Sequence, residues 1–239
     1  MSKATDEICG LIDALCEGDR RLVLNYLRQH LPLHPLEQEW ATTAEAILTA
    51  IARSSDLTRR GIRGILAEAT FEEAVLPQVE ASGWRSSLII GNQPYDFVLE
   101  KAAVQVSIQV KLQRKEGGIP KEYPARARAS LNCQPGLLYV VEVQKTRSGQ
   151  TRSGQKKGEK TRPYRFGDFD ILAVNLHTST GDWKRFVYTV GNWLLPRRQQ
   201  QTLIEIFQPV PPCPDEYWTD DLGCCIDWFL AGERKRLYT

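Results

Sequence analysis

Near residue 84 the apolar residues of this chain change period. Over residues 62–81, Ile65, Leu66, Ala69, Phe71, Val75, Leu76 and Val79 make a broad face at helical spacing. Pro77 lies inside that run and predicts a kink or break, because it lacks an N–H and its ring crowds the preceding turn. Ser82-Gly83-Trp84 ends it. Three short stretches follow, at 87–90, 95–99 and 104–112, with a period of two. They predict strands joined by Asn92-Gln93-Pro94 and Glu100-Lys101.

The rest of the chain extends this pattern. Ala-Arg-Ala-Arg-Ala-Ser-Leu suggests a helix within 120–132, and the continuous apolar run 137–143 suits a strand buried on both faces. Residues 170–176 and 186–190 resume as strands, and a Pro-rich connection at 209–214 leads to a last helix over 222–231. Before residue 60 only helical spacing is visible. One helix over 5–30 is expected to break near Gly18, and a second over 40–51 has Thr42 or Thr43 as its cap. The expected fold is α/β: a mixed central sheet flanked by helices over 61–239, with an N-terminal helical region over 1–60.

Charge is distributed unevenly. The net charge is +2, yet residues 111–165 carry 14 Lys and Arg against 4 Asp and Glu, while residues 1–50 carry 4 against 8. Within the basic stretch, Thr-Arg-Ser-Gly-Gln occurs twice in tandem, at 146–150 and 151–155. Nothing over 145–165 can bury apolar surface, so a basic loop is expected there. Concentrated positive charge supplies the sequence-independent part of nucleic-acid binding through counterion release; a solvated loop that binds nothing has the same composition.

No apolar run approaches the roughly 18–20 residues a membrane helix needs. The first residues lack a basic-then-apolar signal pattern, which predicts a cytoplasmic location without membrane contact. The six cysteines are irregularly spaced and read as reduced thiols. A zinc site from Cys213, Cys224, Cys225 and His177 fits no common finger spacing.

The chemistry-bearing pattern lies on the predicted strands. Pro94-Tyr95-Asp96 is followed by Gln109-Val110-Lys111. Residues two apart on a strand share a face, so Gln109 and Lys111 point together, and a hairpin would bring Asp96 beside them. A carboxylate that binds a hard cation beside a lysine that positions water is what phosphodiester hydrolysis requires. Taken singly, Asp96 also suits a turn, Lys111 a solvated strand end, and Glu68, Glu72, Glu73 and Glu80 an exposed helix face. Asp170 opens a later strand and suits either an added ligand or a carboxylate holding backbone amides.

This stretch, over residues 61–145, resembles the PD-(D/E)XK nuclease superfamily, to which most type II restriction endonucleases belong. The resemblance implies a restriction-endonuclease-like core of helix, three strands and helix. It makes Asp96 the metal-binding aspartate, Lys111 the motif lysine, and Glu72 or Glu68 the helix glutamate, with Glu72 preferred. Gln109 stands where the family usually has Glu or Asp, a departure found in some active branches. Catalytic residues are thus expected at Asp96, Gln109, Lys111 and Glu72, with Asp96, Gln109 and Glu72 holding Mg²⁺.

The expected substrate is double-stranded DNA, held by Arg114, Lys115, Arg126, Arg128, Arg147, Arg152, Lys156 and Lys157. The expected activity is a Mg²⁺-dependent, sequence-specific type II restriction endonuclease acting as a homodimer. Its rivals are a structure-specific repair or junction nuclease and a non-catalytic DNA-binding module with a decayed site.

Overall fold

The protein is described here by a computed structural model that covers residues 2–31, 34–89, 93–128, 131, 136–144 and 163–237. These fall into two compact units, 1–60 and 61–239. The tandem repeat and most of the basic loop lie outside the described residues.

The first unit is helical: α1 (Lys3–Ala14), α2 (Glu17–His30), α3 (Pro35–Glu39), α4 (Ala44–Arg53) and the start of α5 (Asp56–Ala74). Side-chain caps punctuate it. Ser2 accepts from Thr5 N at 3.2 Å, and Thr43 Oγ1 accepts from Ala46 N at 3.2 Å. The expected break near Gly18 falls instead at Leu15–Cys16, with Gly18 inside α2, because the Cys16 sulfur caps that helix by accepting from Asp19 N. No described residue between 2 and 60 is buried.

In the second unit the long helical run divides. The first helix, α5, ends at Ala74, and α6 (Leu76–Glu80) starts afresh with Pro77 in its first turn, where a missing N–H costs nothing. Strands β1 (Arg85–Leu88), β2 (Phe97–Lys101) and β3 (Val104–Leu112) form the expected antiparallel meander. A short hairpin of β4 (Lys115–Glu116) and β5 (Ile119–Pro120), helix α7 (Ala125–Arg128) and β6 (Tyr139–Glu142) follow. The chain then enters β7 (Ile171–Asn175), turns through α8 (His177–Thr180) and returns as β8 (Phe186–Val190). It ends with the hairpin β9 (Pro196–Arg197) and β10 (Gln200–Ile204), strand β11 (Phe207–Val210) and α9 (Leu222–Leu230).

The central sheet has the order β1-β2-β3-β7-β8, with β3 and β7 parallel and every other neighbouring pair antiparallel. It is therefore the expected mixed sheet flanked by helices. The β6 strand does not join it; it pairs with β11 in a separate ribbon that covers one sheet face.

Each sheet face has its own core. Ala67 and Phe71 of α5, Leu76 and Val79 of α6, and Leu222, Cys225 and Ile226 of α9 pack on Phe97, Leu99, Val106, Ile108, Val110, Ile171 and Ala173. The opposite face buries Leu172, Val174 and Val187 against Val140, Val141, Tyr164, Phe169, Leu194 and Trp218. The even-numbered residues 106, 108 and 110 of β3 thus face the helices. Gln109 and Lys111 face the other side by strand alternation.

Candidate active site

Asp96 sits one residue before β2, where the antiparallel register continues opposite Gln109. Its own N–H donates to Ile108 O at 2.9 Å, tying the backbone to β3 before the side chain is considered. Asp96 Oδ2 then accepts from Val110 N at 2.8 Å and from the Gln109 amide nitrogen. Among the described residues Asp96 Oδ1 takes no hydrogen bond from the protein.

Gln109 is 2 % exposed, and each of its polar atoms is engaged. Nε2 donates to Asp96 and, at 3.1 Å, to Val110 O, while Oε1 accepts from the Tyr164 hydroxyl at 3.0 Å. These partners fix which way the amide points, because the nitrogen meets two acceptors and the oxygen meets a donor. Tyr164 is itself buried, edge-on to Phe169, and Lys111 Nζ lies 5.9 Å from its ring centroid.

The charges of the site share one weakly solvated space. Burial pushes the Asp96 carboxyl above its ordinary range, against the opposing pull of Lys111, Val110 N–H and Gln109. Burial likewise lowers the Lys111 ammonium, against the field of Asp96 and Glu68. The Tyr164 phenol is pushed up by burial first, then by Asp96, Asp168 and Glu68. Glu68, Asp96, Gln109, Lys111 and Tyr164 are therefore one electrostatic group.

The helix carboxylate in that group is Glu68, which is half-buried. Glu72, the preferred residue at the level of sequence, is exposed and lies a turn further along α5. Tyr164 carries no sequence signal at all, since it follows the basic loop directly. Asp170 accepts from Ser107 N at 2.8 Å and Ser107 Oγ at 2.7 Å, so it staples β3 to the start of β7.

The expected DNA-contacting residues divide. Lys115 and Arg126 are exposed. Arg114 is paired with Glu142 and lies 5.4 Å over the Phe207 ring, and Arg128 reaches Glu122 at 3.8 Å and Gly136 O at 3.0 Å. Arg147, Arg152, Lys156 and Lys157 lie outside the described residues.

The donor set suits a hard cation. Asp96 and Glu68 bring carboxylates, and Asp96 Oδ2 and Val110 O converge on one point, now held by an N–H of Gln109. Among the described residues no group of three His, Cys, Asp or Glu could hold a metal, so a zinc site at Cys213, Cys224, Cys225 and His177 is not formed. His177 stacks on Trp183 at 3.9 Å instead. No helix among the described residues is long and apolar enough to cross a membrane.

No protein-family model matches the chain, and no curated protein does. A solved structure of a bacterial homing endonuclease is similar to it at 19% identity, covering 55% of this chain and 69% of that one with a TM-score of 0.33.

Proposed function

We propose that the chain is a metal-dependent endonuclease of double-stranded DNA, and of the type II restriction kind. The observation that carries this reading is Asp96 hydrogen-bonded to Gln109, with Lys111 on the same face of β3 and the charges of Asp96 and Glu68 acting on it. Asp96 and Lys111 are charged groups placed where both are poorly solvated. A fold accepts that cost where the groups have chemical work to do.

Asp96, together with Glu68, would hold a Mg²⁺ ion. Such an ion, when bound, polarises a phosphodiester and lowers the pKa of a bound water. Lys111 lies on the rigid central strand β3, where it orients an attacking water and offsets charge growing on the phosphate oxygens. The local excess over residues 111–165, 14 basic residues against 4 acidic, attracts the polyanion irrespective of its sequence. Exposed Lys115 and Arg126 hold backbone phosphates. Cutting both strands needs two such sites, which a homodimer supplies.

A second reading is favoured by one observation: the nitrogen, not the oxygen, of Gln109 faces Asp96. With the oxygen turned away, Gln109 offers Asp96 no help in holding a cation, as expected of a DNA-binding module whose site has decayed. Incubation of the purified chain with methylated and unmethylated phage DNA in Mg²⁺ separates the two. Discrete fragments with defined ends support the restriction reading, and salt-sensitive binding without any cut in Mg²⁺ or Mn²⁺ supports the module.

A further inference from the structure

The Gln109 amide is held from both ends. Its nitrogen bridges Asp96 Oδ2 and Val110 O, and its oxygen receives the Tyr164 hydroxyl. A half-turn of the amide would aim Oε1 at two other oxygens, an arrangement that repels unless a cation enters among the three. The nitrogen therefore occupies the place a cation could take: it neutralises converging oxygens in a buried place.

Tyr164 biases that choice. Its hydroxyl can donate to Oε1, as here, or accept from Nε2 after a half-turn. A phenol is a better donor than acceptor, because its oxygen lone pair is shared with the ring. The hydroxyl therefore favours the orientation with the nitrogen toward Asp96. A group that stabilises only the arrangement with the nitrogen toward Asp96 weakens cation binding by the same free energy.

We propose, resting on the metal-dependent reading of the site, that Tyr164 is a positioning residue. It holds Gln109 with its nitrogen toward Asp96 and links divalent binding to a turn of the amide. The ring fills the core beside Phe169, so Tyr164→Phe removes the hydroxyl while leaving the packing in place.

The test is Mn²⁺ binding to the full chain, followed by the paramagnetic resonance signal of the free ion, with melting measured in EDTA alongside. Tyr164→Phe is expected to bind Mn²⁺ roughly two- to tenfold more tightly than wild type, the weight of one neutral hydrogen bond, while melting lower in EDTA. A merely structural role would lower the melting temperature without tightening the ion. Gln109→Glu removes the bridging nitrogen, so it is expected to melt lower than wild type in EDTA and to gain more from Mn²⁺.

If Tyr164→Phe folds and binds no more tightly than wild type, the positioning role is overturned while the metal site stands. If that variant does not fold, a Gln109→Glu protein that gains no more from Mn²⁺ than wild type overturns it. A wild type that binds no Mn²⁺ overturns the metal reading and this proposal together.

Discussion

The two units of this chain are held by different physics. Residues 2–60 contain no buried side chain among those described, and their order rests on local signals: Ser2, Cys16, the His34–Glu37 pair and Thr43 each cap a helix. Among the described residues, 61–239 carry all the buried side chains, and the apolar ones form two cores on either face of the sheet. Helices sustained by capping and propensity are marginal, whereas packed sheets open only with the whole unit. The charged site is in the second unit. A poorly solvated Asp96 and Lys111 can be tolerated only where neighbouring packing supplies the stability they cost.

The largest effect should come from the core. Phe71 is fully buried, with ring centroids 5.2 Å from Phe97 and 5.5 Å from Phe186. Phe71→Ala is expected to destabilise the second unit by about 3–5 kcal/mol in chemical denaturation. A loss under about 1 kcal/mol would mean that the two units do not differ as described.

Alkali should come next. Burial raises the Cys225 thiol well above its ordinary 9.0, with Cys224 adding to the rise. The Tyr188 phenol is raised above its ordinary 10.0 by burial first, then by Cys225, Asp221 and Asp220. Both are acids kept protonated by the fold, so their contribution is complete below the unfolded values. It is lost as pH rises toward the folded ones. Melting temperature is expected to fall from about pH 9 upward, and Cys225→Ala should flatten the first part of that fall. A flat profile to pH 11 would contradict the burial argument.

The smallest effect belongs to a cap. Thr43→Ala is expected to weaken α4 by about 1 kcal/mol, visible as faster amide exchange within that helix. Exchange in β3 and β7 should not change, and neither should DNA cleavage. Faster exchange in β3 would show that the first unit supports the second.

The same division explains what could be read in advance. Strand β3 at 104–112, β8 at 186–190 and the restart at Pro77 follow from period and from proline chemistry, which are local. The partner of β6 was not legible, because a continuous apolar run shows burial on both faces but not which strand lies alongside. Glu68 and Glu72 are four residues apart and share one helix face, so only the axial position of α5 on the sheet separates them. Asp96 and Gln109 could be paired through the hairpin. Tyr164, 55 residues from Gln109, could not, because nothing in its surroundings marks a long-range hydrogen bond.

The central claim is that Lys111 serves chemistry at a site built on Asp96 and Gln109. Its direct test is cleavage of plasmid DNA in Mg²⁺ by wild type and Lys111→Ala, each confirmed folded by its melting curve. Wild type is expected to cut and Lys111→Ala to be slower by about a hundredfold to a thousandfold, with DNA binding largely kept. A folded Lys111→Ala protein that cuts at the wild-type rate would contradict the assignment of this site.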